Sequence, residues 1–249
     1  AMLTKGKQIP MTKALFEAIY LDLEKKIKNG EFPYQSFIPS ENDLVAAYSC
    51  SRNTVRRALS ILADEGLVQP IHGKGVRVIW RSTDRDIIGS LEGLYSFEEY
   101  AERNGMAPHT VVREFEQLVC GSGLSRYTGF AKGSKLYRVV RTRSLDSFTC
   151  QVDINYFLRE SIPDLTPEIA QSSVYSYIEE RLNTKILTSK RQITVELANE
   201  DDFAYLNLSP YNCVAIIESQ TFSSEGLMFE FTQVRHHPDA FRYCAVSRR

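Results

Sequence analysis

Arg141 and Arg143 stand two residues apart in the run KLYRVVRTRSL. On a β-strand, alternate residues share one face, so the two guanidiniums point the same way, about 6.5–7 Å apart along the chain. Tyr137, Val139 and Leu145 share that period-two face. Two cations on a partly apolar face are costly unless an anion pairs with them. A phosphate suits them, because arginine binds it through two parallel hydrogen bonds. Internal carboxylates, such as Asp153 or Glu230, are the competing partners.

A second chemically pointed pattern lies near the front of the chain. In SRNTVRRALSIL the apolar residues Val55, Ala58, Leu59 and Leu62 recur at helical spacing. Asn53, Arg56, Arg57 and Ser60 then project from the opposite face, with Arg52 beside the helix start. Arginine can bond guanine edges or phosphates, and asparagine can bond adenine. A merely solvated helix face is the competing reading. The stretch LVQPI-HGKG-VRVIW follows and reads as a β-hairpin, with His72, Gly73 and Lys74 at its tip within reach of a phosphate backbone.

Other chemistries find little support. The five cysteines, Cys50, Cys120, Cys150, Cys213 and Cys244, form no CxxC pair, and His236-His237 has the wrong spacing for a helical metal site. No metal is expected. Nucleophile elbow, phosphate-binding glycine loop and paired general acid and base are all missing, so no catalytic residue is assigned and no enzyme is expected. Twelve Lys and Arg stand against eight Asp and Glu in residues 1–81, and eighteen against twenty-three in the remainder. A basic front half suggests a polyanion partner. Hydrophobic residues at 43% and charged residues at 24% fit a globular chain. No apolar run reaches the roughly 18 residues that span a bilayer. The start has no signal-peptide pattern, and scattered thiols suit a reducing compartment, so a cytoplasmic protein without membrane contact is expected.

These residues need elements to hold them. Phe16, Ile19, Tyr20, Leu23 and Ile27 predict a helix over 13–29, closed by Gly30. Ser40 caps a short second helix, with Asp43 as the capping-box acid and Leu44, Val45 and Tyr48 inward. Ser51 opens the third helix, which ends at Gly66. Residues 81–89 read as a polar linker between a domain at 1–80 and another at 90–249. The second domain predicts a helix at 95–104, strands at 110–119, 135–145 and 148–157, a helix at 173–183, and strands at 186–197, 211–222, 227–235 and 240–247. Adjacent strands with few helices between them argue an antiparallel α+β fold.

The order IPSENDL, SRNTVRRAL, DEGLV, HGKG resembles the winged helix-turn-helix of GntR-type bacterial transcription regulators. The resemblance implies that Ser51, Arg52, Asn53, Thr54 and Arg56, with Arg57 beside them, meet DNA. It places Glu41 and Asn42 near the backbone at the start of the supporting helix, and His72, Gly73 and Lys74 at the wing tip. Val76-Arg77 departs from the Thr-Phe pair common after the GKG.

GLYSFEEYAERNGM, LYRVVRTR, VDINYF, SSVYSYIEE and MFEFTQVRHHPDAFRY resemble the UTRA domain of the HutC subfamily, which has the chorismate lyase fold. In sugar-phosphate-responsive relatives the matching residues line a pocket. Here they are Ser96, Phe97, Arg141, Arg143, Asp153, Ser173, Tyr175 and Glu230. PDLTPEIAQSSVYSYIEE and FEFTQVRHHPDAFRYCAVSRR are similar to trehalose operon repressors, which implies trehalose-6-phosphate as the effector and no cofactor. Asn155 stands where such relatives often carry a second acid. One winged head contacts too few bases for useful specificity, so a homodimer on a palindromic operator is expected. Alternatives are a HutC-type regulator of another ligand (an amino-sugar phosphate, an organic acid or a fatty acid) and, less favoured, an enzyme on a chorismate-lyase-like fold.

Overall fold

The computed structural model describes residues 11–81, 96–103 and 105–242, which fall into two compact units. All but Arg81 of the expected linker lies outside the described residues. In the first unit, α1 (Met11–Lys28), α2 (Glu41–Tyr48) and α3 (Arg52–Asp64) precede a hairpin of β1 (Val68–Ile71) and β2 (Gly75–Val78). Ile19, Leu23 and Ile27 of α1 are buried against Leu44 of α2 and Val55, Ala58, Leu59 and Leu62 of α3. The capping box at α2 is complete: Ser40 Oγ accepts from the Asp43 amide at 3.2 Å, and Asp43 accepts from the Ser40 amide at 3.1 Å. Ser49 adopts φ 49°, which stops α2 and redirects the chain into the next cap. There, Ser51 Oγ accepts from the Thr54 amide and starts α3. A two-stranded sheet is marginal alone. This one is secured because Val68 and Val78 enter the helical core, and the Ile38 amide donates to the Val76 carbonyl at 3.0 Å.

The second unit contains α4 (Phe97–Arg103), β3 (Pro108–Val119), α5 (Ser122–Thr128), β4 (Lys135–Leu145), β5 (Phe148–Leu158), α6 (Pro167–Gln171), α7 (Val174–Ser176), β6 (Ile186–Leu197), α8 (Glu200–Tyr205), β7 (Cys213–Ser223) and β8 (Met228–His236). Among the described residues the strands form one antiparallel sheet in the order β3-β4-β5-β8-β7-β6, the α+β fold expected. Tyr137, Val139 and Phe157 pack under Ile162, Leu165, Ala170, Val174 and Ile178, so α6 and α7 cover one face. On the other face, Val140, Val152, Val214 and Ile216 meet Leu206 and Leu208 after α8, while Leu136 and Phe231 meet Phe130 after α5. No helix among the described residues is long and apolar enough to cross a membrane.

Several elements differ from expectation. The helix expected at 173–183 is one α-turn followed by a π-turn, Tyr177–Arg181, closed by the Leu182 amide on the Tyr177 carbonyl. The strand expected at 240–247 begins instead as a 3₁₀ turn, Pro238–Ala240; Pro238 has no amide to continue the ladder, so β8 stops at His236. Residues 243–247 of that strand, with Tyr95 and Asn104 of the helix at 95–104, lie outside the described residues. Three short helices, α5, α6 and α8, were not expected.

Candidate functional site

The strand register lays the polar residues out in rungs across the face under α6 and α7. Thr110, Arg143, Gln151, His236 and Ala215 lie opposite one another; next come Val112, Arg141, Asp153, Val234 and Ile217. A third rung holds Val139, Asn155, Thr232, Ser219 and Arg191, and a fourth Tyr137, Phe157, Glu230, Thr221 and Ser189. A cavity opens over these rungs. All eight residues singled out for an effector, Ser96, Phe97, Arg141, Arg143, Asp153, Ser173, Tyr175 and Glu230, line it.

Two serines at helix starts bring their neighbours to the wall. Ser96 Oγ accepts from the Glu99 amide at 3.1 Å and fixes α4, which lays Phe97 4.9 Å from the Arg143 guanidinium. Ser173 Oγ accepts from the Ser176 amide at 3.2 Å and fixes α7, which carries Tyr175.

The two arginines have different partners. Arg143 Nε donates to Asp153 at 2.5 Å, and its Nη1 donates to Glu98 at 3.0 Å and Thr110 at 3.1 Å. Burial opposes its charge, but Asp153 and Glu98 outweigh burial and raise its pKa. Burial likewise opposes ionisation of Asp153, yet Arg143 and Arg141 hold its carboxyl below the usual value. Arg141 is less well served. It donates to the Ala170 carbonyl at 3.1 Å and to Asn155 at 2.8 Å, and Asp153 lies 3.7 Å away. Burial, then the neighbouring Arg143, push its pKa down to about 10. The internal-carboxylate reading thus describes Arg143 and leaves Arg141 under-compensated.

At the other end, Tyr175 donates to Glu230 at 2.8 Å, and burial followed by the Glu230 charge raises its pKa well above the ordinary value. Asn155 links the ends: it accepts from Arg141 and donates to Glu230 at 3.0 Å and Thr232 at 2.9 Å. An acid at 155 could not make both bonds to Glu230 and Thr232. Sequence reasoning missed Glu98, Gln151, Arg191 and His236, which also line the cavity. The hairpin register opposite Arg143 was the signal that could have found Gln151. Among the described residues no group of His, Cys, Asp and Glu could hold a metal.

In the first unit, Ser51, Arg52, Asn53, Arg56 and Arg57 are exposed along α3, and Thr54 is half-buried with its hydroxyl 2.8 Å from Ser51 Oγ. Arg52 donates to Asn42 at 2.9 Å, and Arg56 pairs with Glu41 at 2.9 Å. Arg57 differs: its guanidinium lies 4.0 Å over the Phe16 ring, which holds it against α1. His72, Gly73 and Lys74 form the exposed hairpin turn, with Gly73 at φ 71° and the Lys74 amide on the Ile71 carbonyl.

The Arg56–Glu41 pair is largely exposed, so breaking it costs about 0–1 kcal/mol and leaves Arg56 available to a base. Arg56→Ala is expected to weaken specific DNA binding by about 1–3 kcal/mol and relax base preference. Lys74→Ala is expected to weaken all sequences evenly and lower the salt slope by about one. Fluorescence anisotropy across a salt series checks both; parental binding by both variants contradicts them.

Comparison with known proteins matches residues 15–78 to the gntR family of bacterial regulatory proteins and residues 103–242 to the UTRA domain. The HTH-type transcriptional regulator TreR of Bacillus subtilis is 32% identical over 94% of this chain and 97% of its own length. The transcriptional repressor NagR of the same organism is 26% identical over 96% of each. Among solved structures, the possible transcriptional regulator YydK of B. subtilis superposes with a TM-score of 0.77 at 20% identity, covering 94% of this chain and 99% of that one. The effector binding domain of the B. subtilis trehalose repressor gives 0.51 at 28% identity, covering 57% and 98%. These relatives are transcription regulators rather than enzymes.

Proposed function

This chain belongs to the gntR family of bacterial transcription regulators with a UTRA domain, and from that footing we propose that it is a repressor released from its operator by a phosphorylated sugar, trehalose-6-phosphate foremost. One observation carries the ligand class. Among the described residues five buried side-chain nitrogen or oxygen atoms have no hydrogen-bond partner, and three of them, Arg141 Nε, Glu98 Oε2 and His236 Nδ1, belong to residues lining the cavity. Buried polar groups are normally satisfied. Arg141 calls for an anionic acceptor and Glu98 for a hydroxyl donor, so the complementary molecule is an anion bearing hydroxyls. A fatty acid offers no such donor. The lining runs from β4 to β6, four strand spacings or about 19 Å, which suits two sugar rings better than one. A thermal-shift screen of sugar phosphates tests this: trehalose-6-phosphate is expected to raise the melting temperature and trehalose to leave it unchanged.

The reading also requires a homodimer. One DNA-binding head contacts few bases, and a palindromic operator needs two heads related by two-fold symmetry. Edge strand β6 exposes Val195 and Leu197, at 68% and 75%, a surface suited to a second copy. Sedimentation at micromolar concentration is expected to give a species of about twice 28.4 kDa, and a monomer with and without DNA contradicts it. Release then needs only that the ligand favour a state in which the two heads miss their half-sites.

A further inference from the structure

Of the three residues that bring an unpartnered atom to the cavity, His236 is the one whose side chain can change charge near neutral pH. It ends β8 and is 5% exposed, opposite Gln151 on β5 and Ala215 on β7, with its ring 5.4 Å from that of Phe241. The charged groups sharing this end are Asp153 on β5, Arg141 and Arg143 on β4, and Glu98 on α4; β7 offers none. Burial pushes the imidazole down to about 4, with Asp153 acting the other way, so the ring is neutral at pH 7. Two guanidiniums already stand against two carboxylates there. A phosphoryl dianion would leave the end two charges negative in a region of low dielectric, where an added positive charge is strongly favoured.

We propose that His236 is a further effector-contacting residue at the anion end of the cavity, and that it takes up a proton as the phosphorylated ligand enters. The proton comes from solvent, and the imidazolium then has two ring N–H donors where the neutral ring has one. The inference rests on the anionic-effector reading. Its sign follows from linkage: a ligand that raises the imidazole pKa binds more tightly as pH falls through the raised value, and gains nothing well above it. The phosphate group itself has a second pKa near 6. At pH 7.5 the ligand is therefore already dianionic, and whatever it contributes is common to parent and variant.

Calorimetry of the full chain with trehalose-6-phosphate at pH 7.5, in two buffers of different ionisation enthalpy, counts the protons. The parent is expected to take up a measurable fraction of a proton per ligand, declining toward pH 9. His236→Gln is expected to bind about tenfold more weakly and to lose that uptake. His236→Asn serves as a second variant, and melting curves check that both fold. Binding by the parent without proton uptake, or equal uptake by parent and variants, overturns the inference alone. If trehalose-6-phosphate, glucose-6-phosphate and inorganic phosphate all fail to bind the parent, the anionic-effector reading falls, and this inference with it.

Discussion

Arg141→Ala is expected to bind trehalose-6-phosphate about 10- to 150-fold more weakly than the parent while holding DNA as tightly. A charge-assisted and geometrically matched bond contributes about 1.5–3 kcal/mol, which at about 1.4 kcal/mol per decade gives that range. The structure separates this role from a purely structural one. Asp153 is bonded to Arg143, whereas Arg141 contacts the Ala170 carbonyl and Asn155 and keeps Nε unpartnered. Its loss frees one neutral acceptor on Asn155 and one on the backbone, and strands no carboxylate. The variant should remain folded and repress without release. Arg141→Lys restores the charge but not the planar fork, so intermediate affinity is expected. A gel-shift titration of effector beside a melting curve measures both. A variant of parental stability that the effector releases normally contradicts the pocket role of Arg141.

The second large effect falls on Asp153. Asp153→Asn keeps the side-chain shape but removes the carboxylate bonded to Arg143 and nearest Arg141, leaving the two buried guanidiniums only Glu98 and Glu230 to offset them. Breaking a buried pair on one side costs about 3–5 kcal/mol, and at about 2–4 °C per kcal/mol the melting temperature should fall by about 6–20 °C. The pH dependence has a definite sign. Asp153 has a lowered pKa in the folded chain, so its contribution is complete above the unfolded carboxyl value near 4 and disappears as pH falls through the folded value. The gap between parent and variant should therefore be widest near neutrality and close in acid. An anion in the cavity would compensate the two under-paired arginines, so phosphate should raise the variant's melting temperature more than the parent's. A variant as stable as the parent at pH 7 would contradict the charge balance described for this end.

Much of this architecture was legible in the sequence because its signals are local. The cap at Ser40, the α3 periodicity and the GKG turn each lie within a few residues, and the structure places them as read. The RxR spacing put both guanidiniums on one strand face, and the register brought Asp153 opposite Arg141. Other local signals went unread: Thr166 followed by Pro167 starts α6, and Asn199 with Asp202 forms the capping box of α8. What no local pattern could supply was long-range pairing. His236 reaches the anion end only because β8 inserts beside β5, and Arg191 reaches the far end only because β6 is the sixth strand across a sheet ordered out of chain sequence. The different duties of Arg141 and Arg143 likewise depend on Glu98 and Asn155, which come from separate elements.

The central claim is that an anionic sugar held by Arg141 and its neighbours releases the chain from DNA. The most direct measurement is binding to a DNA fragment selected by the protein from a random pool, followed by anisotropy during parallel titrations with trehalose-6-phosphate and trehalose. Release by the phosphorylated sugar alone, lost in Arg141→Ala, is the result expected. DNA binding untouched by the phosphorylated sugar, or equal release by both sugars, would contradict it.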